Sequence, residues 1–149
     1  MTRLMIALAA CALSAACSAG PKGATAGSGE QAAALPPKKL QLSWGVSPVG
    51  ELADIYLATT DETGKQVSHQ VGRYKGTCAP FTPAKEMNAL TGVRCAAGGG
   101  GTEIHAVHRG SEIVVVQLGI QPGAAPDPMA RQEVTRVAVP VGVAIEVAP

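Results

Sequence analysis

Residues 102–120, TEIHAVHRGSEIVVVQLGI, are the stretch that decides the fold class. Two runs of β-branched and other strand-forming residues, Thr102–Arg109 and Glu112–Ile120, flank Gly110-Ser111, a pair typical of tight turns. The second run is rich enough in Val and Ile to favour a central strand of a sheet. We therefore expect a β-hairpin at the heart of an all-β domain.

Alternation of apolar and polar residues predicts further strands on both sides of this hairpin. They are a first strand with Leu40, Leu42, Trp44 and Val46 on one face, a hairpin of Leu52–Thr60 with Lys65–Tyr74 around the turn 61–64, and two C-terminal strands, Glu133–Val139 and Val141–Val147. Pro140 separates the last two, which places an edge, a bulge or a crossing between sheets at that point. The pattern predicts a small antiparallel sandwich or partly open barrel of about seven strands.

The two cysteines of this domain, Cys78 and Cys95, are expected to form a disulfide in an exported protein. They lack the close Cys-x-x-Cys spacing of redox and metal sites, so the bridge should be structural. The loop that it closes contains one short predicted helix, Pro83–Leu90, with Thr82 as its N-cap and Gly92 as its stop.

The N-terminal residues have the layout of a secretory signal peptide. Arg3 precedes an apolar stretch, Leu4–Ala16, that ends in small residues and is shorter than the roughly 18 to 20 residues that span a bilayer as a helix. Its end, Leu13–Ser18 (LSAACS), resembles the lipobox of bacterial lipoproteins, in which small residues precede a cysteine that is lipidated and becomes the mature N-terminus. The sequence departs from that pattern at Ser14, where the lipobox usually has leucine.

The resemblance implies a signal peptide over residues 1–16 and lipidation of Cys17. Because Ser18 rather than aspartate follows the cysteine, it also implies sorting to the outer membrane of a Gram-negative cell, facing the periplasm. Residues 17–37 are then the lipidated N-terminus and a flexible linker rich in Ala, Gly and Pro, since they have almost no large apolar side chains. Residues 38–149 form a single β domain.

Two alternatives to this processing remain open. Leu8–Cys11 matches the lipobox more closely letter by letter, but lipidation at Cys11 would leave Cys17 as an unpaired thiol in an oxidising compartment. Cleavage by an ordinary signal peptidase after Ala16 or Ala19 would instead give a soluble periplasmic or secreted protein.

Composition and motifs exclude several classes of function. The chain has 149 residues and 12 Lys plus Arg against 11 Asp plus Glu, a net charge of +1. This length is too small for a multidomain enzyme, and the charge balance provides no electrostatic footprint for nucleic acid. Gly98–Gly101 lacks the Lys-Ser or Lys-Thr of a phosphate-binding loop, and no motif joins a nucleophile to a histidine and an acid. The sequence indicates no catalytic residue and no cofactor.

His105 and His108 are the weak candidates for a metal site. Residues 105 and 108 of one strand point to opposite faces, whereas zinc needs three or four convergent ligands. We expect His105 beside Glu103 on a polar face and His108 on the other face, with both histidines solvated or partly buried.

The segment Arg73-Tyr74-Lys75 is the candidate partner contact, since Tyr and Arg are frequent in binding hot spots. The leading hypothesis is a non-catalytic envelope lipoprotein, a tethered binding or structural module. It would contact the membrane through its N-terminal lipid and would bind an envelope protein or peptidoglycan. The alternative is a small periplasmic hydrolase or metal-binding protein built around His105 and His108.

Overall fold

Two β-sheets packed face to face make up the domain in the computed structural model, which describes residues 39–149. The nine strands of these residues are β1 Lys39–Val49, β2 Leu52–Asp61, β3 Gln66–Lys75, β4 Thr77–Phe81, β5 Thr91–Ala97, β6 Gly100–Arg109, β7 Glu112–Ile120, β8 Gln132–Ala138 and β9 Ala144–Val147. The four-stranded sheet has the order β3-β2-β1-β9, and the five-stranded sheet has the order β4-β5-β6-β7-β8. The predicted all-β fold is confirmed, and of its two predicted forms it is the sandwich, since neither sheet closes into a barrel.

The main core lies between the two sheets because every strand places alternate residues on its inner face. Leu40 and Leu42 of β1 are buried there, and Trp44 and Val46 pack against the same core, as the alternation predicted. The opposing sheet contributes Val93, Ile104, Ala106, Ile113 and Val115. Each fully buried Val, Leu or Ile side chain stabilises the fold by about 1.5–3 kcal/mol.

The strands β6 and β7 are buried on both faces. On the face away from the main core, Val107, Val114 and Val116 form a second apolar cluster, against which Ala89 packs. The segment of residues 82–90 therefore covers part of this outer face. Burial on both faces explains why the valines of β7 follow one another without polar interruption.

Both predicted hairpins are confirmed. β2 pairs antiparallel with β3, and β6 pairs antiparallel with β7 around Gly110-Ser111. In the first turn, the Asp61 carboxylate accepts hydrogen bonds from the backbone N–H groups of Thr63 and Lys65, at 2.9 and 3.0 Å. This local bonding fixes the turn. The pKa of Asp61 is lowered below its usual range, mainly by a hydrogen bond from the Thr63 hydroxyl. The two backbone hydrogen bonds act in the same direction.

The disulfide loop contains two strands, β4 and β5, that the sequence did not predict. They pair antiparallel with Cys78 directly opposite Cys95, and the predicted disulfide joins these two residues. The sequence signal for the two strands is weak because Pro80 lies within β4 and Gly92 within β5. Both residue types are depleted in strands.

The helix predicted over Pro83–Leu90 is present only as a single 3-10 turn, Lys85–Met87, preceded by Ala84 rather than capped by Thr82. The turn ends at Asn88, which has left-handed backbone dihedrals (φ 47°). The side chain of Met87 is buried, so packing on the sheet rather than helix propensity decides the conformation of this segment.

Pro140 lies at the crossing between the sheets. β8 ends in the five-stranded sheet, and the chain then turns through Gly142, at φ 82°, and enters the four-stranded sheet as β9. There β9 pairs in parallel with β1. The strand predicted over Val141–Val147 is therefore shorter and begins at Ala144, because its first residues form the crossing.

The predicted signal peptide, the lipidation candidates Cys17 and Cys11, and the linker to residue 37 lie outside the described residues. Within residues 39–149, no helix is long and apolar enough to span a membrane.

Candidate functional site

A buried ionic network lies on the outer face of the five-stranded sheet. Glu103 and His105 are two residues apart on β6 and therefore share a face, with only 2% and 0% of their surfaces exposed. Arg94 lies opposite Glu103 on β5, and its Nε and Nη2 donate to Glu103 Oε1 at 2.9 and 2.5 Å. The other carboxylate oxygen, Oε2, lies 3.0 Å from His105 Nε2. Both oxygens of Glu103 thus have hydrogen-bond partners.

An aromatic ring from the edge strand β4 packs against this network. Phe81 lies 4.7 Å from the Arg94 guanidinium, measured to the ring centroid, and 5.7 Å from the His105 ring centroid. Gly92 makes this approach possible, since a Cβ there would lie 2.8 Å from Phe81 Cε1 and 2.9 Å from the Ile104 carbonyl oxygen. The ring, the guanidinium and the imidazole therefore shield the carboxylate of Glu103 from water.

The surroundings of His105 favour the neutral form of its side chain. Its burial lowers the pKa of the imidazole below the usual value, although the hydrogen bond with Glu103 acts in the opposite direction. Because Nε2 faces a carboxylate, we assign the proton of the neutral ring to Nε2, which leaves Nδ1 as an acceptor. Within the described part of the chain, Nδ1 of His105 is buried and has no hydrogen-bond partner.

Two loops meet above this network. Arg131, which directly precedes β8, donates from Nη2 to the backbone carbonyl of Met87 and so links its loop to the first 3-10 turn. A second 3-10 turn, Pro128–Ala130, lies just before Arg131. The Asp127 carboxylate caps that turn by accepting a hydrogen bond of 2.8 Å from the Met129 N–H group.

A cleft of about 350 Å³ opens between these loops. Its lining residues are Ala84, Glu86, Met87, Glu103, Ala125, Pro126 and Pro128. Apart from Glu103, which is buried, and Glu86, which is exposed, the lining residues are apolar. A concave, mostly apolar surface with a small number of polar groups is the usual form of a small-molecule binding site.

The structure separates the two histidines that the sequence singled out. His105 and His108 are on opposite faces of β6, as expected, and His108 is exposed. The expected pairing of His105 with Glu103 is correct, but the expectation that they lie on a polar face is wrong, because the loops cover that face. Among residues 39–149, no group of three or more His, Cys, Asp or Glu side chains could hold a metal ion.

The candidate partner contact Arg73-Tyr74-Lys75 is not one continuous surface. Arg73 lies on the outer face of the four-stranded sheet, where its Nε and Nη2 donate to the two carboxylate oxygens of Asp54 at 2.7 and 2.9 Å. This pairing lowers the pKa of Asp54. Tyr74 instead packs against the main core, and its hydroxyl donates to Gln117 Oε1 at 2.9 Å. Lys75 is exposed beside Arg73.

Sequence reasoning missed Arg94, Phe81 and the loop residues of the cleft. The available signal was the run Val114–Val116, which implies that the sheet is buried on both faces. A charged residue such as Glu103 on the outer face of the neighbouring strand is then expected to be buried by another segment of the chain. Nothing local to Phe81 indicated its position, because it depends on how the edge strand β4 pairs.

Fold and site together define a disulfide-linked β-sandwich with a loop-covered outer face and a cleft above a buried carboxylate. Comparison of the chain with protein-family models, curated proteins and solved structures finds no match.

Proposed function

We propose that the protein is a non-catalytic binding module of a Gram-negative cell envelope, tethered to the outer membrane through lipid on Cys17. The observation that carries the binding role is the cleft of about 350 Å³ whose lining includes the buried Glu103. A buried ion pair is weak evidence for a stabilising role, since apolar replacements are often as stable. The position of this ion pair next to an open cleft supports a role in the recognition of a binding partner.

The bonding of Glu103 supports binding rather than catalysis. A general base needs an oxygen within reach of the proton it removes and free to accept it. Here Arg94 occupies one carboxylate oxygen and His105 the other, which orients and neutralises the group. His105 is likewise unavailable as a base at Nε2, because that nitrogen is hydrogen-bonded to Glu103.

The envelope location is supported by the leader and by the cysteines. Leu13–Ser18 resembles a lipobox, and the disulfide between Cys78 and Cys95 suits an oxidising compartment. The proposed partner is accordingly a component of that compartment, either an envelope protein or peptidoglycan.

The anchor is tested by expressing the full chain in a Gram-negative host fed with an alkyne-bearing fatty acid. We expect labelled protein in the outer-membrane fraction, loss of label in Cys17→Ala and retention of label in Cys11→Ala. Label that disappears in Cys11→Ala instead would overturn the assignment of Cys17. An unlabelled, soluble wild-type chain would overturn the tether altogether.

The binding surface is tested by site-specific photocrosslinking in intact cells. A photoreactive residue at Ala84, in the lining of the cleft, should give adducts with an envelope protein or with muramidase-sensitive material. The matched control is the same residue at Lys75, on the outer face of the other sheet. Adducts from Lys75 but not from Ala84 would place the contact on the four-stranded sheet and refute the role of the cleft.

A further inference from the structure

A further pocket lies in the five-stranded sheet where β7 extends beyond its neighbour β8. The strand β8 begins at Gln132, opposite Gln117, so the last three residues of β7 have no partner in β8. The pocket beside this extension has a volume of about 260 Å³, and its lining residues are Thr102, Gln117, Leu118, Gly119, Ala130 and Gln132. It shares no lining residue with the cleft above Glu103.

The polar residues of this pocket occupy the inner face of the sheet, where the alternation of a sandwich strand favours apolar residues. Gln117 and Gly119 follow the core residue Val115 at intervals of two along β7 and therefore share its face. Thr102 is paired with Gly119, and Gln132 with Gln117, so both lie on that face as well. Departures from the pattern of this kind are concentrated at functional or strained sites.

Hydrogen bonds that start from the opposite sheet orient the amide groups of the pocket. The Tyr74 hydroxyl donates to Gln117 Oε1 at 2.9 Å, and Gln117 Nε2 donates to Gln132 Oε1 at 3.4 Å. Because each glutamine amide has two N–H groups, one N–H of Gln117 and both of Gln132 have no bonding partner among residues 39–149, and neither has the Thr102 hydroxyl. Gln132 is exposed and the Thr102 hydroxyl is not buried, so a ligand can reach these groups.

The lining favours a ligand that is polar but uncharged. None of the six lining residues is charged, so a charged ligand would lose hydration without gaining an opposite charge. An apolar ligand would leave the amide and hydroxyl groups without partners. A ligand with several hydroxyls avoids both costs, because each hydroxyl donates once and accepts twice. The volume of about 260 Å³ is below the roughly 300–1,000 Å³ typical of ligand pockets, which fits a single ring.

We propose that this pocket binds one neutral sugar ring, whose hydroxyls accept from the amide N–H groups of Gln117 and Gln132 and bond to the Thr102 hydroxyl. Gly119 leaves space for the ring, since a Cβ at that position would meet nothing within 4 Å. The inference goes beyond the proposed function because it adds a second binding site with its own class of ligand. The role of the cleft is tested separately at Ala84, so either can fail without the other.

The test uses amide NMR spectra of the purified full chain during titration with two neutral disaccharides, chitobiose and cellobiose. The matched charged probe is de-N-acetylated chitobiose at slightly acidic pH, which keeps both rings and carries two ammonium groups. We expect saturable shifts at residues 117–119 and 130–132 with at least one neutral disaccharide, and an affinity at least about fivefold weaker for the charged probe. Shifts with chitobiose alone would assign the pocket to N-acetylated glycans such as peptidoglycan. No shift with either neutral disaccharide, or equal affinity for the charged probe, would overturn the inference.

Variants assign the binding to this pocket. Gly119→Leu places a side chain in the open space and should abolish binding. Gln132→Leu keeps the body of an exposed side chain but removes its amide, and should weaken binding at least about fivefold. Ala84→Phe, in the separate cleft, is the control and should bind sugar like the wild type. Unchanged binding in Gln132→Leu, or a loss of binding only in Ala84→Phe, would overturn the assignment. If Gly119→Leu does not fold, Gln132→Leu and the control still decide the question.

Discussion

Replacing Glu103 by glutamine probes the buried network most directly. The substitution keeps the shape of the side chain and one acceptor oxygen but removes the charge that holds Arg94. The side chain of Arg94 is 54% exposed, so its guanidinium can regain water, whereas the imidazole of His105 is fully buried and cannot. The net loss is thus close to one hydrogen bond to a charged group, about 1.5–3 kcal/mol.

The assay is urea unfolding at neutral pH with the disulfide intact, which yields the free energy of unfolding and its urea dependence. Glu133→Gln is the control, since Glu133 pairs with Arg136 at the exposed surface and such pairs contribute little. We expect a clear loss of stability for Glu103→Gln and almost none for Glu133→Gln. Equal effects of the two substitutions would show that burial of the network contributes nothing, and the reasoning would be refuted.

Three further predictions concern the rest of the domain. Reducing the bond between Cys78 and Cys95, whose sequence separation is 17, should lower the free energy of unfolding by about 3 kcal/mol, as urea curves with and without reductant would show. Gly101→Ala should destabilise the domain strongly and lower its melting temperature, because the added Cβ would lie 2.1 Å from the Cys95 carbonyl oxygen. Gly119→Ala is the control: its Cβ would meet nothing within 4 Å, so the melting temperature should be nearly unchanged. Burial lowers the pKa of His105 in the folded chain, so the unfolded chain binds more protons as the pH falls. Stability should be full above the unfolded-state value of 6.5 and decrease as the pH falls below it, and a His105→Asn variant should show a flatter profile in that range.

Much of the fold could be predicted because strand periodicity is a local property. The alternation in Leu40–Val46 and the turn residues of the hairpin around Gly110-Ser111 depend only on neighbouring residues, and the structure confirms both. The strands β4 and β5 could not be found in the same way. Their residues have weak strand propensity, and pairing with β6 together with the disulfide holds them in the sheet.

The candidate site was predictable only in part. The period of two in a strand fixes that Glu103 and His105 share a face while His108 does not. Whether that face is open to water is not a local property. It depends on the loop around Met87 and on Arg131, which is far from Met87 in sequence but in contact with it.

The sequence by itself determined that the domain is all-β, either a sandwich or a partly open barrel, and that Cys78 pairs with Cys95, because strand propensity, alternation and the number of cysteines can be read directly from the chain. Only the tertiary structure decided that Glu103 is buried, that Arg94 and His105 are its partners, and that a cleft lies above it. The burial of a strand residue depends on which segments pack over its face of the sheet. Here the loops that cover the outer face include Met87 and Arg131, which are 44 positions apart in the sequence.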